Sequence, residues 1–202
     1  MHRTTFSVKV STFLIGLLLI GCTATPTVAP AAAPTAAPTT APAATTTKSQ
    51  FIYKGTSLTQ GYGMGVDTSD HLQNWVIDMH DSICMNYPGN QGYGAVFITV
   101  GEPVSDQRPG QDLSAYKTLS MELKGEQGGE YVSVGLKDKS DPDDGSERKY
   151  KVDVTNDWKP YTFLLSDFDT ADLTQLYVVT EFVFEPDTPA ENICFRNIEY
   201  LP

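Results

Sequence analysis

Apolar and polar side chains alternate with a period of two through most of the sequence after residue 50. In residues 119–124, Leu, Met and Leu alternate with Ser, Glu and Lys. In residues 131–137, Val, Val and Leu alternate with Tyr, Ser, Gly and Lys. This period is typical of strands with one buried and one exposed face. It predicts two neighbouring strands here, and further strands at 76–79, 83–87, 95–100, 161–165, 177–184 and 193–201.

The segments between these strands are rich in Gly, Pro, Asn and Asp, as expected for turns. No stretch shows convincing helical periodicity. Residues 112–116 and 169–173 each begin with Asp and are interpreted as single turns with an Asp cap. The sequence therefore predicts an all-β sandwich that occupies residues 50–202, which is the usual size of a single domain.

The first 21 residues have the order of an export signal, with His2, Arg3 and Lys9 followed by an apolar run from Phe13 to Ile20. That run is well short of the roughly 20 apolar residues needed to cross a bilayer. The tetrapeptide Leu-Ile-Gly-Cys at 19–22 resembles the bacterial lipobox. The resemblance implies a signal peptide at 1–21 and acylation of Cys22. The mature protein is then expected to be exported and anchored by palmitate and related acyl chains to the cell membrane or envelope, facing outward.

Residues 22–49 consist of the lipidated Cys22 and a segment composed almost entirely of Ala, Pro and Thr. Such a composition buries too little apolar surface to offset the entropy of folding. Frequent Pro favours an extended chain. We expect a disordered linker that holds the domain away from the membrane.

Charge excludes one class of partner. Two of the 14 basic residues, Arg3 and Lys9, lie in the signal and none of the 25 acidic residues does, so the mature chain has a net charge of −13. Nucleic acid is excluded, because its binding depends on basic side chains that neutralise phosphates.

Cys84 and Cys194 are the remaining cysteines of the mature chain. In an oxidising compartment they are candidates for a disulfide, although a buried reduced pair fits the sequence equally well.

Several segments together resemble the galactose-binding-like jelly rolls, which include many carbohydrate-binding modules. The resemblance extends from residue 83 to residue 201 and rests on residues 112–119, 121–125, 132–138, 157–168 and 193–200. It implies a jelly-roll sandwich whose closing strand lies beside an early strand, which would place Cys84 near Cys194. Arg196-Asn197-Ile198 stands where the family usually has Asp before Ile, so the family's calcium ligand is not transferred to this strand.

Carbohydrate binding requires aromatic faces for the apolar sides of sugar rings and polar groups for the hydroxyls. Tyr87 and Tyr93 lie among glycines, and Tyr93 stands where related modules often have an aromatic residue. Strand positions with polar side chains are expected to line a concave surface with them. The full set of ligand-binding candidates is Tyr87, Tyr93, Arg108, Glu122, Ser133, Lys137 and Glu181. The alternative is that these residues have structural roles and bind no ligand.

In that structural alternative, the two tyrosines belong to the rim or core of the domain. Glu122 and Lys137 then form an ordinary cross-strand pair. Trp75 and Trp158 are expected to be buried.

Residues 138–147 concentrate carboxylates in one predicted loop. Calcium prefers several oxygen ligands, which makes Asp141, Asp143, Asp144 and Glu147 candidates for a structural calcium site. Their spacing does not match the helix-loop-helix calcium motif, and a solvated acidic hairpin loop explains the segment more readily. No other cofactor is indicated.

The sequence holds little that indicates catalysis. His71 and His80 are the histidines of the mature chain, and neither has a spacing typical of a metal site or of a base beside a nucleophile. We expect a non-catalytic module that binds glycan or cell-wall polysaccharide. The alternatives are a structural or protein-interaction domain of a cell-envelope assembly, and a small glycan-active hydrolase whose paired carboxylates only the fold would bring together.

Overall fold

The computed structural model describes residues 47–202, in which strands account for nearly all of the regular structure. A short 3-10 helix, Leu165–Asp167, interrupts them. The strands are β1 (Gln50–Lys54), β2 (Ser57–Leu58), β3 (Tyr62–Thr68), β4 (Val76–Asp78), β5 (Ile83–Tyr87), β6 (Gly94–Val100), β7 (Thr118–Gly125), β8 (Tyr131–Asp138), β9 (Lys149–Asp153), β10 (Lys159–Leu164), β11 (Leu176–Phe184) and β12 (Glu191–Leu201).

These strands form two antiparallel sheets. A five-stranded sheet has the order β3-β6-β11-β8-β9. A seven-stranded sheet has the order β10-β7-β12-β1-β2, and β5 also pairs with β12 while β4 pairs with β5. The long closing strand β12 thus has β7 along one side and both β5 and β1 along the other. The predicted all-β jelly-roll sandwich is confirmed.

The core lies between the sheets and consists of the apolar side chains on their facing surfaces. Phe182 of the five-stranded sheet stacks on Phe195 of the other, with ring centroids 4.6 Å apart. Tyr87 stacks on Phe184 at 4.4 Å, and Trp75 contacts both rings edge-on. These aromatic contacts join the sheets across the sandwich.

Tyr87 is therefore a core residue, and its prediction as a ligand-binding residue is wrong. Only 1% of its surface is exposed. Gly94 makes room for its ring, because a Cβ atom at position 94 would lie 2.4 Å from Cε2 of Tyr87. Trp75 is buried, as predicted.

Cys84 of β5 and Cys194 of β12 lie directly opposite each other and form a disulfide. The bond links residues separated by 110 positions. It joins the closing strand to an early strand, in the arrangement that the resemblance implied.

The two strands with the clearest alternation do not lie side by side. β7 belongs to the seven-stranded sheet and β8 to the five-stranded one. The connection between them crosses from one sheet to the other through Gly128 and Gly129, both with positive φ. Glu130 stabilises this turn by accepting hydrogen bonds from the backbone N–H groups of Gln127 and Gly128, each at 2.7 Å.

The predicted signal peptide, Cys22 and the linker up to residue 46 lie outside the described residues. Residues 47–49 lead directly into β1 at Gln50. No helix between residues 47 and 202 has the length and apolar character needed to cross a membrane.

Candidate functional site

The outer face of the five-stranded sheet, which is turned away from the seven-stranded sheet, carries most of the predicted polar residues. One row of side chains crosses all five strands at matching positions of the register. From β3 to β9 the row contains Gly65, Phe97, Glu181, Gly135 and Lys149. Residues that lie directly opposite each other on adjacent strands point to the same face of the sheet, so these five residues share the outer face.

Two glycines in this row allow the large side chains to lie flat on the sheet. A Cβ atom at position 65 would lie 2.3 Å from Cε2 and Cζ of Phe97. A Cβ atom at position 135 would lie 2.4 Å from Oε1 of Glu181. The Phe97 ring therefore rests on the backbone of β3, and the Glu181 carboxyl group rests on the backbone of β8.

A groove of about 590 Å³ lies beside Phe97 at the β3 edge of the sheet. It is lined by Met64, Gly65, Val66, Asp67, His71, Gln73 and Phe97. It thus combines an aromatic ring and apolar side chains with one carboxylate, one imidazole and one amide. We call it the Phe97 groove.

Asp67 is held in place at the rim of the Phe97 groove. The Tyr93 hydroxyl donates to Asp67 Oδ2 at 2.9 Å, and His71 Nδ1 lies 3.2 Å from Oδ1. Burial raises the pKa of Asp67, but hydrogen bonds from Tyr93, His71 and the Thr68 backbone outweigh it, so the pKa is lowered overall. The same hydrogen bond raises the pKa of Tyr93, with burial adding to the effect. Asp67 is therefore an ionised acceptor at neutral pH.

Tyr93 is 40% exposed, and it is the predicted ligand-binding tyrosine that reaches solvent. Its position follows from the turn chemistry before β6. The Gly92 N–H donates to Ser69 Oγ at 2.8 Å, and the Ser69 N–H donates to the Tyr93 carbonyl at 3.2 Å. These bonds fix the turn against the end of β3, where Asp67 lies.

Many other aromatic rings near the surface have a cation over one face. The pairs are Lys54 on Phe51 at 3.9 Å, Lys151 on Tyr131 at 3.6 Å, Arg196 on Trp158 at 4.3 Å, Arg108 on Tyr177 at 5.3 Å and Arg148 on Tyr150 at 6.0 Å. A cation in this position is attracted to the ring quadrupole and occupies a face that a sugar would use. Within residues 47–202, Phe97 and Tyr93 have no such cation.

Glu122 lies on the other sheet and takes no part in this site. Its carboxylate accepts a hydrogen bond from Arg196 Nε at 2.9 Å and another from Asn197 Nδ2. The proposed cross-strand pair of Glu122 with Lys137 is wrong, because β7 and β8 lie in different sheets. The Arg196 hydrogen bond is the main cause that lowers the pKa of Glu122; partial burial opposes it and the Asn197 bond adds to it.

Trp158 packs against the guanidinium group of Arg196 and is half-buried. The expectation that it is buried is therefore wrong. A break in the register of β12 between Arg196 and Glu199 turns Arg196 and Asn197 toward Glu122. The strand before the break keeps its apolar side chains in the core.

Ser133, Lys137 and Glu181 all lie on the outer face of the five-stranded sheet. They are nonetheless 5–8% exposed. The acidic loop (residues 139–148, between β8 and β9) covers part of this face. Its Glu147 lies between two lysines, with carboxylate oxygens 3.5 Å from Lys137 Nζ and 2.7 Å from Lys149 Nζ.

Arg108 binds the acidic loop from the other side. Its Nη1 donates to the Asp141 carbonyl at 2.7 Å, and its Nη2 pairs with the Asp143 carboxylate. Asp143 also lies 3.4 Å from Lys137 Nζ. The predicted ligand-binding residues Arg108 and Lys137 are thus engaged with the loop.

The four calcium candidates do not converge on one point. Asp141 Oδ2 accepts from the Asp138 N–H, Asp144 Oδ1 accepts from the Ser146 N–H, and Asp143 and Glu147 pair with cations. No group of three or more His, Cys, Asp or Glu side chains in the described part of the chain has the arrangement of a metal site. The solvated-loop interpretation is also only half right, because the Asp143 side chain is 75% exposed but that of Glu147 is 4% exposed.

Glu181 has an unusual environment for a carboxyl group. It is 5% exposed, and burial together with the neighbouring Glu147 carboxylate raises its pKa to about 8. The pKa of Glu147 shifts in the opposite direction. Burial raises it, but hydrogen bonds from Lys149 and from its own backbone N–H, together with the positive charge of Lys137, lower it overall. Glu181 is therefore mostly protonated at neutral pH, while Glu147 is ionised.

Sequence reasoning missed Phe97, Gly65, Asp67 and His71. A signal for Phe97 was present, because Ala95, Phe97 and Thr99 occupy the alternate, outward positions of a correctly predicted strand. A phenylalanine on the outward side of a strand is a large apolar group without a core position. The contribution of Gly65 and Asp67 depends on the pairing of β3 with β6, which the alternation did not reveal.

Comparisons with known proteins agree with this architecture. Comparison with curated proteins finds no match. Among solved structures, the family 11 carbohydrate-binding module from Clostridium thermocellum in complex with a β-1,3-1,4-mixed-linked tetrasaccharide has a TM-score of 0.54 at 14% identity, covering 76% of this chain and 95% of that one. The family 11 module of a cellulosomal cellulase from the same organism has a TM-score of 0.53 at 14% identity, covering 78% and 96%. A mutant family 29 carbohydrate-binding module complexed with mannohexaose has a TM-score of 0.50 at 13% identity, covering 76% and 90%.

At these identities the structural likenesses show the fold alone. The family model for carbohydrate binding domain 30 matches residues 44–201, which is most of the chain and all of the sandwich. The chain belongs to the carbohydrate binding domain 30 family.

Proposed function

We propose that this carbohydrate-binding module holds a glycan chain in the Phe97 groove, at the β3 edge of the five-stranded sheet. The observation that carries the proposal is the Phe97 ring, which lies flat over Gly65 beside the ionised Asp67. A flat ring without a cation over it offers its face to the C–H groups of a pyranose. Asp67 and Gln73 at the groove supply the polar groups that accept and donate hydrogen bonds to hydroxyls.

The charge of the domain favours a neutral glycan. The mature chain has a net charge of −13, and the carboxylate in the groove is ionised. Polymers that carry carboxylates or phosphates would be repelled. Related folds have been solved with mannohexaose and with a mixed-linked β-1,3-1,4 tetrasaccharide, so mannan and mixed-linkage β-glucan are suitable first probes.

Binding without catalysis fits the groove better than hydrolysis does. Most glycosidases use two carboxyl groups that flank the scissile bond. The Phe97 groove is lined by one, Asp67. Glu181 is buried beneath the acidic loop, and the Glu147 side chain of that loop is buried between Lys137 and Lys149. Neither carboxyl group lines the groove. We therefore propose a binding module and not a hydrolase.

Binding is tested by affinity electrophoresis of the mature chain in gels that contain mannan or mixed-linkage β-glucan. The wild type and Phe51→Ala are expected to be retarded equally, whereas Phe97→Ala is expected to migrate as in a gel without glycan. Phe51 is a suitable control because it is also a half-buried phenylalanine but lies in β1 of the other sheet, next to Lys54. Equal retardation of all three proteins would contradict the assignment of the groove. Absence of retardation on a broad glycan panel, with recovery of one specific envelope protein, would favour a protein-interaction domain instead.

We further propose that the module is exported and tethered through lipid on Cys22, with residues 22–49 as an extended spacer. The support is the order of a signal, a cysteine and a Pro-rich segment in the sequence, followed at Gln50 by the first strand. Metabolic labelling with radioactive palmitate tests this proposal. Wild-type protein should be labelled and sediment with membranes, and Cys22→Ser should be unlabelled and soluble. Label on the Cys22→Ser protein would contradict the assignment.

A further inference from the structure

Two carboxylates and an aromatic ring lie in a row over the outer face of β3. Gly63, Gly65 and Asp67 occupy alternate positions of this strand and therefore share that face. A Cβ atom at position 63 would lie 3.2 Å from Glu102 Oε1. A Cβ atom at position 65 would lie 2.3 Å from two carbons of the Phe97 ring. The ring thus has the Glu102 carboxylate on one side and Asp67 on the other, each roughly 7 Å away along the strand.

Neither of these two carboxylates is paired with a lysine or an arginine of residues 47–202. The salt bridges that lysine and arginine form there use other carboxylates, those of Glu122, Asp143, Glu147, Asp169 and Glu185. Asp67 meets the imidazole of His71, whose side chain is 82% exposed at the rim. Among the described residues, no lysine or arginine lines the Phe97 groove. The row therefore presents negative charge on both sides of an aromatic ring.

The open face of the Phe97 ring is suited to a positive charge. Other rings near the surface of this domain each lie beside a lysine or arginine of the chain, 3.6 to 6.0 Å from the ring centroid. The attraction arises because the quadrupole of an aromatic ring is negative over its face. At Phe97 the corresponding position is open to a ligand, and the carboxylates of Asp67 and Glu102 add to the attraction that a positively charged ligand would meet there.

We propose that the Phe97 groove prefers glycans that carry free amino groups, such as polymers of 2-amino-2-deoxyhexoses, to neutral glycans of the same linkage. This preference rests on the proposed function, because it concerns the ligand of the same groove. The net charge of −13 repels acidic polymers and leaves neutral and positively charged glycans as ligands. The ring and its flanking carboxylates distinguish between these two classes. A protonated amino group on a sugar stacked at Phe97, or on the next sugar, gains an attraction that a hydroxyl group in the same place does not.

Titration calorimetry on the mature chain compares two β-1,4-linked hexamers, one of glucose and one of glucosamine, at about pH 7, where most free amino groups are protonated. The two ligands differ only in the hydroxyl or ammonium group at C2 of each sugar. At low salt the glucosamine hexamer is expected to bind about fivefold more tightly, and excess glucose hexamer should displace it. Equal or weaker binding of the glucosamine hexamer, or binding of neither hexamer, would overturn the preference. Retention on mannan or mixed-linkage β-glucan would still decide the proposed function.

Matched variants separate the groove from the overall negative charge of the domain. Glu102→Gln should reduce the preference for the glucosamine hexamer by about twofold, whereas Glu199→Gln, which removes the same charge from β12 of the other sheet, should leave the preference unchanged. Equal effects of the two variants would contradict the proposed site. Hexalysine carries as many ammonium groups as the glucosamine hexamer but no sugar, and it should bind more weakly. If hexalysine binds as tightly, or if glucose hexamer fails to displace the glucosamine hexamer, charge alone explains the binding, as for a lysine-rich protein partner, and the proposal is overturned.

Discussion

Replacing Gly65 with alanine tests the feature on which the binding proposal depends. The added methyl group would lie 2.3 Å from two ring carbons of Phe97, well inside van der Waals contact. The ring belongs to a side chain that is only half-buried. We therefore expect it to rotate away from β3 toward solvent and the backbone of the strand to stay in place.

The expected losses of stability and of glycan affinity follow from the displacement of the Phe97 ring. An added methylene in a packed position typically costs about 1 to 3 kcal/mol of stability, and a half-buried ring that can move should place Gly65→Ala at the lower end. The loss of binding should be larger. Aromatic residues at the centre of a binding surface contribute about 2 kcal/mol or more when removed, which corresponds to about 30-fold in Kd.

The assay compares titration calorimetry on a retained glycan with thermal unfolding of the same samples. Gly63→Ala is the matched control, because Gly63 lies two residues away on the same face of β3. There the added methyl group would meet the flexible end of Glu102 at 3.2 Å, which can move. We expect Gly63→Ala to bind like the wild type and Gly65→Ala to lose about 30-fold in affinity. Wild-type affinity in folded Gly65→Ala would refute the role of a flat Phe97 ring.

Three further outcomes are expected. Replacing Cys84 and Cys194 together with serine should lower the free energy of unfolding by about 4 to 5 kcal/mol in denaturant titrations, because the bond closes a loop of 110 residues; a change below about 1 kcal/mol would contradict this. Glu122→Gln should lower stability by about 1 kcal/mol at pH 7 but have no effect in acid, where the carboxyl group is protonated in both states. The lowered pKa of Glu122 makes its contribution present above its unfolded pKa and lost as the pH falls through its folded value. Adding about 1 mM calcium to EDTA-treated protein should leave the Tm unchanged, because the loop carboxylates already bond to cations and backbone; a rise of several degrees would contradict this.

The strands could be predicted from the sequence because alternation depends only on local burial. In β7 the pattern of Leu119, Met121 and Leu123 is reproduced residue by residue as buried positions. The pairing of strands could not be predicted in the same way. The turn at Gly128 and Gly129 has the composition of a hairpin, yet it leads from one sheet to the other. Glu122 of β7 and Lys137 of β8 therefore lie in different sheets.

The binding candidates were harder to predict because sequence shows that a residue is aromatic but not which way its ring faces. Tyr87 and Tyr93 lie six residues apart in a glycine-rich segment and look equivalent. Tyr87 ends β5 on its inward side and fills the core above Gly94, whereas Tyr93 precedes β6 and bonds to Asp67 on the rim of the groove. The difference is decided by the register of two strands.

The distribution of cations further explains why so few of the aromatic residues are available to a ligand. Lys151 and Arg196 each lie over a ring that would otherwise be a candidate platform, Tyr131 or Trp158. A sugar that stacks on either ring face would first have to displace the cation, whose attraction to the ring is worth about 0.5 to 1 kcal/mol at exposed sites. Phe97 carries no such cost, and Gly65 holds its ring flat in advance. Preorganisation of this kind lowers the entropy lost on binding, so the glycine in β3 is as much a part of the binding site as the phenylalanine it supports.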